Sequence, residues 1–277
     1  MTDTDRGAPE ARPTPPERGP APASDPVPEI AGLDLSDIRF ALSRGWADWR
    51  AAPGLGFVFA SVYVLGGMVL AFVSGGFVFQ TLILALGFPL FAPFAAVGLY
   101  ETSRRLETGR PLDPYRIFGA VWREKDRQIP WAGAIIVIYF LFYSFLAHMI
   151  FALFMGTSPL TNISTSYEAF LTPNGLTMIA VELAVGAVLG FILFALTAFS
   201  LPLMLHKEID FMTAMLHSFA AVQANLGVMV LWAAIIGVTV VAAMAPVFLG
   251  LFVALPVLGH ASWHLYRRAL IHPEDEG

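Results

Sequence analysis

Glu182 is the one carboxylate that falls well inside an uncharged apolar stretch of this 277-residue chain. An ionisable side chain in hydrocarbon costs at least about 2.5 kcal/mol on insertion scales, so its default reading is functional. A carboxyl group at that depth can relay a proton, hold a cation or hydrogen-bond a ligand. Gly186 and Gly190 follow at four-residue spacing, which places the acid on the small-residue face of a helix that packs against neighbours. His148 is the histidine deepest in an apolar stretch, with Ser144 one turn before it. At 1.5 Å rise per residue both Glu182 and His148 lie roughly 10 Å below the outer ends of adjacent antiparallel helices. They form a candidate intramembrane pair, for a relay or for a structural hydrogen bond.

A second candidate group lies towards the C-terminus. His260 and His264 are spaced i,i+4, which can set two imidazoles on one face of a helix. His206 and His217 could approach from the preceding loop. Trp263 and Tyr266 interleave with them, and that favours an interfacial belt whose histidines hydrogen-bond lipid headgroups rather than a metal. No His-Glu-x-x-His pattern, phosphate-cradling glycine loop or nucleophile–base constellation occurs. The chain has no cysteine, which excludes disulfides, thiolate zinc sites and Cys-ligated iron–sulfur clusters. Neither a metal nor a cofactor is expected.

The elements that position these residues follow from composition. Apolar residues are 57% of the chain and charged residues 13%, against about 45–50% and 25% in soluble domains. Residues 1–30 are rich in proline and read as a disordered cytoplasmic tail without a cleavable signal peptide. Apolar runs predict spans at about 55–75, 81–101, 131–155, 176–205, 226–245 and 247–266, and residues 271–277 form an acidic tail. The expected fold is an all-α membrane protein with six transmembrane helices in three hairpins, each preceded by an amphipathic interfacial helix. Asp34, Asp113 and Asp210 open those three helices as N-caps. Their apolar stripes are Leu35, Ile38, Leu42, Trp46 and Trp49; then Ile117, Phe118, Val121 and Trp122; then Phe211, Ala214, Met215, Phe219 and Val222. Late prolines at Pro93, Pro202 and Pro256 strengthen the impression of a threefold internal repeat.

Charge fixes the orientation. All sixteen Lys/Arg residues fall on one side of this map, and seven of them lie between Arg104 and Arg127. The positive-inside rule makes that side cytoplasmic, with both termini there, and makes the segment from Gly156 to Gly175, which lacks Lys and Arg, the external loop. No basic stripe apart from the membrane-flanking segments supports nucleic-acid binding.

Four stretches carry a resemblance: Gly45-Trp-Ala-Asp-Trp-Arg-Ala-Ala-Pro-Gly54, Gly98-Leu-Tyr-Glu-Thr-Ser-Arg-Arg-Leu-Glu-Thr-Gly109, Ser200-Leu-Pro-Leu-Met204 and Leu255-Pro-Val-Leu-Gly-His-Ala-Ser-Trp-His-Leu-Tyr266. Over about residues 35–270 the chain resembles a bacterial integral-membrane family, domain of unknown function 2189. The resemblance implies a six-span protein of the inner membrane and no particular activity. Members are also described as resembling a haem–copper oxidase subunit, but such a core needs six histidine ligands inside the membrane and here His148 alone lies deep. The expected role is a non-enzymatic accessory or scaffold protein that binds lipid or a partner, such as a respiratory or other membrane complex. The alternative is a small proton- or ion-coupled transporter or channel using Glu182 and His148.

Overall fold

The computed structural model describes residues 28–73, 78–156 and 170–272. Within them the regular structure is helical apart from two short strands, β1 (Glu29–Ile30) and β2 (Leu270–Ile271). The helices are α1 (Leu35–Ala51), α2 (Pro53–Val73), α3 (Val78–Glu107), α4 (Pro114–Arg123), α5 (Ile129–Met155), α6 (Pro173–Thr197), α7 (Ser200–His206), α8 (Phe211–Ala224), α9 (Leu226–Met244) and α10 (Leu251–Ala269). By length and apolarity α5, the run Pro173–His206, and α9 can each cross a membrane. The pair Leu35–Ala51 and Pro53–Val69, bent by 104°, passes the same test jointly as one broken span.

The three expected N-caps are present. Asp34 accepts from the backbone of Ser36 and Asp37, and the Asp37 carboxylate returns to the Asp34 N–H in a capping box. Asp113 accepts from Tyr115 with Pro114 at the first helical position, and Asp210 accepts from Thr213 at 2.9 Å. Hydrogen bonding to the ionised form, from the Ser36 and Thr213 side chains first and then from the capped N–H groups, holds the Asp34 and Asp210 carboxyls below the ordinary aspartate value of 3.8.

The apolar stripes need correction. On α1 the buried residues are Asp37, Ile38, Ala41, Gly45 and Asp48, while Leu35 and Trp46 are exposed. The reason is close approach. A Cβ on Gly45 would lie 2.5 Å from the Val257 carbonyl oxygen, so the helix meets α10 through its small residues and turns its large ones outward. On α4 the buried residues are Ile117 and Ala120, with Phe118 and Trp122 exposed. On α8 Ser218 and Ala221 join the buried face and Phe219 leaves it.

Boundaries differ too. The fourth expected span, 176–205, is two helices parted at Ala198-Phe199. Such a break frees backbone groups that hydrocarbon cannot satisfy. Ser218 on α8 satisfies them, its hydroxyl accepting from the Phe199 N–H at 3.0 Å and donating to the Ala195 carbonyl at 2.8 Å. The last helix starts at Leu251, four residues later than expected, because Val247 and Phe248 take positive φ (51° and 65°) in the turn after α9. Gly250 closes that turn directly against the Ala243 backbone. Residues 74–77, between the first two expected spans, and residues 157–169 of the expected external loop lie outside the described residues.

The two ends of the helical domain meet. β1 pairs antiparallel with β2, and the Ala31 N–H donates to the Ala269 carbonyl at 2.9 Å. Asn225, between α8 and α9, accepts from the Leu33 N–H at 2.7 Å and donates to the Ala31 carbonyl at 2.9 Å. Residues 29–30 and 271–272 thus belong to the folded body, not to the tails assigned to them from composition. Around this seam α2 packs on α3, α3 on α5, α5 on α6 and α9 on α10, while α10 packs along α1, α2 and α3.

Two predictions follow from these contacts. Gly45→Ala lowers the melting temperature in detergent, with overpacking costing about 1–3 kcal/mol, whereas Gly54→Ala, where a Cβ meets nothing within 4 Å, leaves it unchanged. Asp210→Ala costs about 1 kcal/mol through loss of the cap. Because folding lowers this carboxyl's pKa, its stabilisation is full above the ordinary aspartate value and disappears as acid protonates it. Asp210→Asn keeps a capping oxygen and removes that part of the acid sensitivity, measurable as helicity against pH below pH 5.

Candidate membrane cleft and buried polar cluster

The ionisable groups fall into two settings. The first is a cleft of about 860 Å³ between α5, α6 and α9. Its α5 wall is Ile136, Tyr139, Phe140 and Tyr143, and its α6 wall runs from Glu182 to Leu193. Along a helix that is roughly 16 Å of groove. Glu182 stands at the end nearer the start of α6 and is the one acidic or basic side chain of the lining. No described residue gives it a hydrogen bond or ion pair. Tyr139 donates its hydroxyl to the Leu189 carbonyl at 2.7 Å and so fastens α5 to α6. The Tyr143 hydroxyl sits 3.0 Å from where a Gly186 Cβ would be. Gly186 is therefore a packing position, as its spacing suggests. A Cβ on Gly190 or on Gly237 of α9 would meet nothing within 4 Å, so these two glycines leave space that the chain itself does not fill.

The expected pairing of Glu182 with His148 is not formed within the chain. His148 is exposed on α5, and its Nδ1 bonds the Ser144 carbonyl oxygen one turn back, at 2.7 Å. Because a carbonyl can only accept, Nδ1 carries the proton and Nε2 is left as an acceptor.

The second setting is the last three turns of α10, where the ring side chains are buried and most polar groups are partnered. His260 and His264 are 0% and 4% exposed, and Trp263 and Tyr266 are fully enclosed. This overturns the headgroup-binding belt read from their spacing. The His260 Nδ1 bonds the Ser103 hydroxyl of α3 at 2.8 Å, and the His264 Nε2–H donates to the Asp48 carboxylate of α1 at 2.7 Å. Trp263 donates its indole N–H to Glu107 at 2.8 Å, and Arg267 reaches the other oxygen of the same carboxylate at 3.2 Å. Arg268 pairs with Asp37 and lies 4.8 Å over the Phe40 ring. The Tyr266 hydroxyl joins His206 of α7 (2.9 Å) to His272 (2.8 Å); with one proton it donates to one imidazole and accepts from the other. Glu101, 1% exposed, takes Arg104 at 2.6 Å and Arg105 at 2.7 Å.

The i,i+4 histidines therefore do not converge on one ion, and among the described residues no three potential ligands gather to hold a metal. His217 stays apart on α8, where burial holds its pKa below the ordinary histidine value against a hydrogen bond with the Pro28 backbone. Asp48, Ser103, Glu107 and His272 were not anticipated as members of this cluster. For Asp48 a signal existed: it follows Ala41 and Gly45 at helical spacing, on the small-residue face that a close helix contact requires.

A family model described as predicted integral membrane protein (DUF2189) matches residues 81–206. Over that stretch the chain is similar to the DUF2189 family. The DUF2189 match runs from α3 to the end of α7 and takes in two of the four resembling stretches, Gly98–Gly109 and Ser200–Met204. It covers less than the 35–270 span suggested by the sequence, since the α1 and α10 stretches lie outside it. The α5 and α6 walls of the cleft are thus inside the DUF2189 region, while α9 and the α10 hub are not. Neither a curated protein nor a solved structure matches the chain.

Breaking the Asp48–His264 contact tests the cluster. Removing one partner of a buried pair leaves the other unsatisfied at a cost of about 3–5 kcal/mol. Asp48→Ala and His264→Leu should each destabilise the protein strongly in denaturant titrations, and the double variant by clearly less than their sum.

Proposed function

We propose that this membrane protein has six spans with both termini cytoplasmic, and serves in a bacterial inner membrane as a non-enzymatic accessory or scaffold protein that binds a partner or lipid. Three observations support the topology. The pairing of β1 with β2 sets residues 30 and 270 side by side, which favours an even number of crossings between them. The ends of α3, α7 and α10 are tied together through Glu107, His206, Trp263 and Tyr266, as expected of three helices leaving the membrane on one face. The basic residues at those ends make that face cytoplasmic under the positive-inside rule.

The observation that carries the functional reading is the contrast between the two settings. In the α10 cluster the imidazoles, carboxylates and hydroxyls are mostly buried and bonded to one another. What the chain leaves open at membrane depth is an apolar groove with one carboxylate and two glycines facing empty space. Such a surface suits docking rather than bond-making. A proton- or ion-coupled transporter is the second reading, favoured by the position of Glu182 in that cleft.

Two experiments test these readings. A cysteine introduced at Glu168, in an otherwise cysteine-free chain, should react with an impermeant thiol reagent from outside the cell, and one at Arg110 only after permeabilisation; the reverse pattern overturns the topology. Affinity purification of the tagged protein from its native membrane in mild detergent should recover a stoichiometric second protein or a specifically enriched lipid. Recovery of this chain free of either contradicts the accessory role, and loss of proton-coupled flux in Glu182→Gln would establish the transporter instead.

A further inference from the structure

We propose that the cleft between α5, α6 and α9 is filled by α5 of a second copy of this chain, whose His148 supplies the partner that Glu182 lacks. The proposal rests on the reading of the cleft as a docking surface and names its occupant.

Hydrocarbon does not hydrogen-bond, so an unpartnered carboxyl and an unpartnered imidazole nitrogen in it are each costly. Glu182 lines an open groove without a partner, and the Nε2 of His148 is left as an acceptor on an exposed part of α5. A protonated Glu182 donating to that nitrogen, or the same proton resting on the imidazole, satisfies both groups in one bond. Phospholipid headgroups are poor substitutes. Glu182 is nine residues into α6, roughly 14 Å along the helix, so a donor or acceptor must be carried to that depth by another helix.

Depth singles out His148 as that group. Copies of a membrane protein in one orientation are related by rotation about the membrane normal, which preserves height. Residues that meet across such an interface must therefore stand at the same level. The Tyr139–Leu189 and Tyr143–Gly186 contacts put α5 and α6 in a single antiparallel register. In that register Glu182 is level with position 147, next to His148, to within about one helical turn of 5.4 Å.

The two groups do not meet in one chain because they point to different sides. At about 100° per residue, His148 lies roughly 130° around α5 from the centre of the face formed by Ile136, Tyr139, Phe140 and Tyr143. One copy therefore offers the outer side of α5 to the cleft of the next. The contact is head-to-tail, and such contacts close into rings when the rotation permits. Gly190 and Gly237 supply the room for the incoming helix.

The test uses two singly substituted full-length chains, Leu183→Cys carrying one tag and Phe145→Cys carrying another, so that Glu182 and His148 are kept in both, co-expressed in one membrane. Since the chain has no cysteine of its own, a short membrane-permeant thiol crosslinker can join them only across an interface. The expected product has twice the monomer mass and both tags, far in excess of the product from either chain expressed alone. In uncrosslinked protein in mild detergent, Glu182→Gln and His148→Leu should each lower the oligomeric fraction several-fold, and the double variant no further than either single one. Absence of the two-tag product, with both variants correctly folded by gel filtration, overturns the proposal. If a foreign protein still co-purifies in that case, the docking reading stands with a different occupant. A two-tag product without any foreign partner supports the self-association and removes the accessory role.

Discussion

The polar end of α10 is the constraint on which the rest of the architecture depends. It carries His260, Trp263, His264, Tyr266, Arg267 and Arg268 within nine residues, at the edge of an apolar bundle where each unsatisfied group would be costly. The chain resolves this by bringing three other helices to them: α1 through Asp37 and Asp48, α3 through Ser103 and Glu107, α7 through His206. The close α1–α10 contact at Gly45 is the steric counterpart of the same demand. A helix that composition suggests should float in the membrane interface is instead fastened to the bundle along one side, with Trp46 turned outward.

That arrangement also explains where the protein is left open. Satisfying that end takes up much of the hydrogen-bonding capacity of α1, α3, α7 and α10. The far ends of α5, α6 and α9 carry few polar groups, and they enclose a groove floored by glycines with a single acid at its edge. Rigidity and opportunity for docking are therefore separated along the membrane normal.

Much of this was readable from the residues. The N-caps at Asp34, Asp113 and Asp210 were legible because capping is a local matter of one side chain and the next two or three N–H groups. The apolar runs match α5 and α9 closely, and Glu182, Gly186 and Gly190 all line the cleft. What failed depended on the partner element. Helical periodicity identifies which residues share a face, but not that α1 would bury Ala41, Gly45 and Asp48 in preference to Trp46. The break between α6 and α7 is invisible in hydropathy because its freed backbone groups are satisfied by Ser218, nineteen residues away from Phe199. The histidines of α10 read as interfacial because their partners, Asp48 and Ser103, lie more than 150 positions away in the chain.

Hydrogen exchange in lipid nanodiscs tests the central claim, that α1 is clamped into the bundle by the polar end of α10. The account predicts that the amides of α1 exchange as slowly as those of the last turns of α10, and that both lose protection together when Asp48 is replaced by Ala. Rapid exchange throughout α1 beside a protected α10 would contradict it, and would return α1 to the membrane interface as an independent helix.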